Sequence, residues 1–227
     1  MLNTGPIDRY RGLAARESLA ALGAPTAGLR KVDRGEPLFR QGDALTALYE
    51  VQLGQFKTQR SDEGGRRQVL GFHLAGDLLG LDGIVDDVHQ QDAIALESAQ
   101  VWTIPYGTFN EEAARSEELQ HELHRIMGRE LTRGQEMLLL LGTLGAEGRL
   151  AAFMLDLAQR LQARGWSAKA MLLRMSRIDI ASYLGLTVET VSRNLTRLQQ
   201  LAVLRIDHRD IEILDPVALE RIATGSP

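Results

Sequence analysis

The chain has 227 residues, 44% of them hydrophobic and 25% charged, an ordinary globular composition whose length suits two compact units. It contains no cysteine, which excludes disulfides, thiol catalysis, thiolate zinc sites and cysteine-ligated iron-sulfur clusters. The net charge of -4 divides unevenly, with 15 Lys and Arg against 21 Asp and Glu in residues 1–144, and 11 against 9 in residues 145–227. A mildly basic C-terminal part permits phosphate binding without by itself indicating it.

The opening residues show no signal-peptide pattern, and no stretch approaches about 18 uninterrupted apolar residues. A cytoplasmic protein with no membrane partner is therefore expected. From about Leu29 to Pro105, short β-type runs alternate with glycine turns. The runs are Pro37–Phe39, Leu48–Val51, Gln55–Thr58, Gln68–Phe72 and Ala99–Ile104; the turns carry Gly42, Gly54, Gly64-Gly65 and Gly76. Regular spacing of this kind predicts hairpins closed into a β-roll over residues 1–109.

From about Asn110 to Leu141 the pattern becomes one long helix without proline, assigned with its flanks to residues 110–144. Met127, Leu131, Gly134, Leu138 and Leu141 step by four, three, four and three, the spacing of a coiled-coil seam, and predict a homodimer contact. Gly134 costs about 1 kcal/mol in a helix relative to Ala, which favours a close approach of two backbones over packing on the chain's own barrel. His121 and His124 lie one turn apart, but without an evident third ligand they read as a solvated face.

The sharpest signal lies in residues 145–227. A helix from Glu147 to Arg164 closes at Gly165, with Leu150, Phe153, Met154, Leu157 and Leu161 on one face. Ser176 to Leu201 then has the layout of a helix-turn-helix. Ala181 is small where two helices would cross, Gly185 supplies a left-handed turn, and Thr187 can cap a helix whose inward face is Val191, Leu195 and Leu198. Glu189, Ser192, Arg193, Thr196 and Arg197 remain outward and form the candidate DNA-binding set with Thr187. Arg offers two donors to guanine, Glu accepts from the cytosine amino group, and Ser does either. Leu204–Ile206 and Asp210–Leu214 follow as two strands around Asp207-His208-Arg209, which makes the unit a winged helix. The overall expectation is an α+β chain and a double-stranded DNA partner.

Three stretches carry a family resemblance: Gly71-Phe72-His73-Leu74-Ala75-Gly76-Asp77 with Gly80, then Gln135–Leu140 with Glu147–Phe153, then Tyr183–Arg193. On these the sequence resembles the CRP/FNR family of bacterial regulators, specifically its FNR branch, over almost the whole chain. The resemblance implies a cyclic-nucleotide-binding-like jelly roll, a dimerisation helix, a winged-helix reader, RNA polymerase as a further partner and a palindrome of the TTGAT...ATCAA type. It further implies that Glu189 and Arg193 read the G·C pair common to the family, and that Val188 and Ser192 select the outer bases.

Two departures bear on the signal. The FNR branch holds its cluster on four cysteines; here the barrel position corresponds to Trp102. The cyclic-nucleotide branch surrounds the phosphate with Gly-Glu and Arg-Ser pairs; here those positions correspond to Gly80-Leu81 and Gln91-Asp92, which disfavours a cyclic nucleotide. No cofactor is therefore expected, with haem on His73, or next on His89 in a polar exposed loop, left as the alternative. The uncharged seam suggests a dimer that needs no ligand. A haem- or other small-ligand-responsive regulator, and a ligand-binding barrel that does not bind DNA, are the competing readings. No Gly-rich phosphate loop, Gly-x-Ser-x-Gly elbow or His-Glu-x-x-His motif supports an enzyme.

Overall fold

A computed structural model describes residues 19–62 and 64–225. The strands are β1 (Leu29–Val32), β2 (Pro37–Phe39), β3 (Ala47–Leu53), β4 (Phe56–Ser61), β5 (Arg67–His73), β6 (Leu78–Leu79), β7 (Asp92–Ala95), β8 (Ala99–Pro105), β9 (Ala170–Leu172), β10 (Leu204–Asp207) and β11 (Asp210–Ile213). The helices are α1 (Tyr106–Ala113), α2 (Glu117–Thr143), α3 (Ala146–Gln162), α4 (Arg177–Leu184), α5 (Val188–Gln200) and α6 (Pro216–Thr224). Residues 19–142 with 174–188 form one compact unit, and residues 143–173 with 189–225 form a second.

The first unit is the β-roll, built from two antiparallel four-stranded sheets ordered β1-β8-β3-β6 and β2-β7-β4-β5. Alternate residues point inward, so Val32, Phe39, Tyr49, Val51, Phe56, Leu79 and Val101 make one core cluster. A second cluster joins Leu45, Leu48, Ile104 and Phe109 to Leu19, Ala24 and Leu119, with Leu123 and Ile126 packed against it. The turn at Leu19–Ala24 and the first half of α2 are thereby fixed to the barrel.

The single helix expected from Asn110 is two helices. α1 ends at Ala113, and Ser116 starts α2 by accepting the Leu119 N–H on its Oγ at 3.3 Å, with Glu117 and Glu118 in the first turn. A serine followed by acids is a start signal that periodicity alone passes over.

In the second unit α3 packs on α6, and Gly148 permits the contact: a Cβ there would lie 3.2 Å from the Ile222 carbonyl oxygen. The hairpin expected after α5 is present as β10 and β11, and β9 adds a third strand, giving the order β10-β11-β9. Leu150, Met154, Leu157, Val191, Leu195, Leu198, Leu204, Ile211 and Leu219 are buried in this unit. Among the described residues no helix is long and apolar enough to cross a membrane.

Candidate nucleic-acid interface

Local chemistry fixes α4 at both ends. Ser176 and Asp179 form a reciprocal capping box: the Asp179 N–H donates to Ser176 Oγ at 3.1 Å, and the Ser176 N–H donates to Asp179 Oδ2 at 2.9 Å. At the other end Gly185 takes the left-handed conformation at φ 62°, and the Leu186 N–H reaches the Ala181 carbonyl at 2.9 Å. The chain is then released into Leu186 and Thr187 and enters α5.

α5 has two faces. Val191, Leu195 and Leu198 are buried as their spacing predicts, and Asn194 is buried beside them. Thr187, Glu189, Arg193, Thr196 and Arg197 are exposed, while Val188 and Ser192 are half-buried. Glu189 and Arg193 lie one turn apart on the same face. Arg193 Nη2 donates to Thr190 Oγ1 at 3.4 Å, and Thr196 Oγ1 donates to the Ser192 carbonyl at 3.1 Å. Arg197 is engaged differently: its Nε lies 2.9 Å from Glu147 Oε1 in the first turn of α3. The wing tip carries exposed His208 and Arg209, and Arg205 pairs with Glu212 across β10 and β11.

In the barrel, Gly80 sits at φ 99°, where a Cβ would come 3.2 Å from the Ala47 carbonyl oxygen. Asp92 accepts from the Gln41 N–H at 2.9 Å and from Gln59 Nε2 at 3.1 Å. Asp82 accepts from the Gln90 N–H at 2.8 Å. His89 is not in an exposed loop: it is 2% exposed, its ring stacks on Phe39 at 3.7 Å between centroids, and Nδ1 lies 3.4 Å from Asp82 Oδ1. The polar run around it follows the surface, but Phe39, 50 residues earlier, provides an apolar seat. His73 is also buried, with Nε2 3.2 Å from the Thr58 hydroxyl. Trp102 pairs across the sheet with Glu50 and Leu29. Among the described residues no group of three or more His, Asp and Glu is placed to hold a metal ion.

The seam residues Met127, Leu131, Gly134 and Leu138 are exposed on α2, and Leu141 is half-buried. His121 and His124 are exposed.

A Crp-like helix-turn-helix domain matches residues 148–222, and a cyclic nucleotide-binding domain matches residues 29–116. The transcriptional activator protein Anr of Pseudomonas protegens is 42% identical over 197 residues, which are 87% of this chain and 81% of that protein. The chain belongs to the CRP/FNR family. The transcriptional regulatory protein btr of Bordetella pertussis is 41% identical over 192 residues, 85% of this chain and 79% of that protein. FixK2 from Bradyrhizobium japonicum, a solved structure, matches with a TM-score of 0.80 at 30% identity, covering 87% of this chain and 98% of that one. This CRP/FNR protein is accordingly a DNA-binding transcription regulator and not an enzyme. α4, the turn at Gly185 and α5 stand where the sequence predicts them. Buried Asn194, signalled only by its place three residues after Val191, and the Glu147 partner of Arg197 are not among the predicted features.

Proposed function

We propose that this regulator acts as a homodimer in the cytoplasm, reading an FNR-like TTGAT...ATCAA palindrome through α5 and needing no small ligand to do so. The reading rests chiefly on α5, where exposed Glu189 and Arg193 and half-buried Ser192 follow a capped α4 and a left-handed Gly185. An Arg and a Glu one turn apart suit the two partners of a G·C pair in a major groove, while Thr187, Val188, Thr196 and Arg197 flank them towards neighbouring bases and phosphates. RNA polymerase is the partner through which such binding acts on transcription.

The second copy is the occupant proposed for α2. Leu131 is 66% and Leu138 72% exposed, and a Cβ on Gly134 would meet nothing among the described residues within 4 Å. That open space suits the close approach of a partner helix. Burying each seam leucine contributes roughly 1.5–3 kcal/mol. No seam position carries a charge that a ligand would have to neutralise.

Independence of a ligand is supported in the barrel. The carboxylate of Asp92 is satisfied by the Gln41 amide and the Gln59 side chain, and would repel a cyclic phosphate. For haem, His73 Nε2 lies 3.2 Å from the Thr58 hydroxyl and the His89 ring is stacked on Phe39, so both histidines are held in the packing of the barrel.

Fluorescence anisotropy of the purified, air-exposed protein on a TTGAT-N4-ATCAA duplex and a scrambled duplex, at one stated salt concentration, tests the reading. Selective binding without any addition is the expected result. A folded dimer that binds neither duplex overturns ligand independence, and one that binds both equally overturns the operator.

A further inference from the structure

We propose that the β4–β5 ledge of the barrel is a docking platform for α4, and that Lys57, Gln68 and Phe72 are positioning residues for DNA reading because they hold α4 in the orientation from which α5 starts. The inference rests on the DNA-reading function proposed above. Lys57 Nζ lies 2.6 Å from Asp179 Oδ1, and the two side chains are only 18% and 12% exposed. Such a pair escapes most of the screening that makes surface ion pairs weak. Asp179 cannot swing away freely, since its other oxygen accepts from the Ser176 N–H and from Ser176 Oγ at 2.6 Å. One carboxylate therefore both caps α4 and ties it to β4.

A second contact lies one turn further on. β5 is the outer strand of its sheet, so its free edge needs partners, and Ser182 supplies them. The Val69 N–H donates to Ser182 Oγ at 2.9 Å, and Gln68 Nε2 donates to the Ser182 carbonyl. Next to it the buried rings of Phe72 and Tyr183 meet edge to face, 5.0 Å apart at 61°. Just before α4, Arg174 Nε lies 3.0 Å from Glu97 Oε2. An ion pair, an edge-strand hydrogen bond and an aromatic contact thus reach α4 from residues more than 100 positions earlier in the chain.

The ledge engages Asp179, Ser182 and Tyr183, all on α4, while Glu189 and Arg193 on α5 are exposed. Only Gly185, Leu186 and Thr187 separate the two helices, so immobilising α4 reduces the freedom of the first turn of α5. A reader that spends only a fraction of its time in the competent orientation binds more weakly by that fraction.

The test uses the full-length protein with Lys57→Met and Lys57→Arg. Hydrogen exchange of the α4 amides is measured without DNA, and anisotropy is measured on the palindromic and scrambled duplexes. Lys57→Met is expected to speed α4 exchange and to weaken operator binding roughly 5- to 20-fold, with scrambled-duplex binding changed less than about twofold and Lys57→Arg restoring both. Unchanged α4 exchange and unchanged operator affinity overturn the platform; tighter operator binding by Lys57→Met overturns its polarity and makes the ledge a brake. Should Lys57→Met melt the barrel, Gln68→Ala with Ser182→Ala removes the second contact from the surface, and the same outcomes apply. Because the exchange measurement involves no DNA, failure of the platform is distinguished from failure of the operator assignment, which the unsubstituted protein reports by itself.

Discussion

Arg193 and Asn194 are neighbours on α5 with opposite fates, and each carries a prediction. Arg193 is exposed one turn after Glu189. A bidentate contact to guanine is worth about 1–3 kcal/mol of discrimination, so Arg193→Ala is expected to lose at least about tenfold on the palindrome and little on scrambled DNA. Equal losses on the two duplexes, measured at one salt concentration, would make Arg193 a phosphate contact. Asn194 is 8% exposed, and its Nδ2 finds no hydrogen-bond partner among the described residues. A buried donor left without a partner costs about 1–3 kcal/mol, and leucine keeps the branched shape, in a larger side chain, without that penalty. Asn194→Leu is expected to raise the midpoint of thermal unfolding by several degrees, read by circular dichroism. Hydropathy hid this residue, because Asn on a reader helix looks like an outward side chain. Spacing alone would have placed it inward. His89 was illegible for a different reason, since its seat on Phe39 is a contact between distant segments that no local pattern encodes.

At the scale of elements, those with chemical punctuation were readable and the others were not. α4 was legible from Ser176 and Gly185, which are its observed cap and left-handed end. The break at Ser116 and the helix α6 carry equally plain signals, Ser-Glu-Glu and Asp215-Pro216, with Asp215 Oδ1 accepting from the Ala218 N–H at 2.9 Å. Periodicity does not register such signals. β6 spans two residues and β7 four, too few for an alternation to register, and their pairing with β3, β2 and β4 fixes them. The cap of α4 also sets a pH dependence. Burial alone would raise the Asp179 carboxyl, but hydrogen bonds from Lys57 and Ser176 and the Lys57 charge outweigh it and hold the group below its ordinary value of 3.8. A carboxyl lowered in the folded state stabilises above the unfolded value and loses that contribution as pH falls through the folded one. Acid unfolding below about pH 3.8 is thus expected to include Asp179, and in Lys57→Met the midpoint of an acid titration followed by circular dichroism should move to higher pH. A midpoint that stays in place would show that Ser176 alone holds the carboxylate ionised.

For the whole molecule, the proposed palindrome requires two readers, since one α5 covers one half-site and the second half-site lies about 34 Å along the duplex. α2 is the element with surface to spare for a second copy. It runs 27 residues, about 40 Å at 1.5 Å per residue, and it leaves Met127, Leu131, Leu138 and Leu139 exposed beyond the half that Leu119, Leu123 and Ile126 fix to the barrel. Leu138 is the best single probe, being 72% exposed and remote from that barrel cluster. In the free chain Leu138→Glu costs little, because solvent already reaches the position. In a dimer it brings two carboxylates together across an apolar seam and removes two buried leucines. Sedimentation at micromolar concentration is expected to show a dimer for the unsubstituted protein and a monomer for Leu138→Glu, with the thermal midpoint of each barrel nearly unchanged. Operator binding should fall by about 10²-fold or more as bivalency is lost, while one half-site duplex is bound equally weakly by both proteins. A Leu138→Glu protein that sediments as a dimer would move the interface to another face of α2, and the exposed leucines would then need another partner.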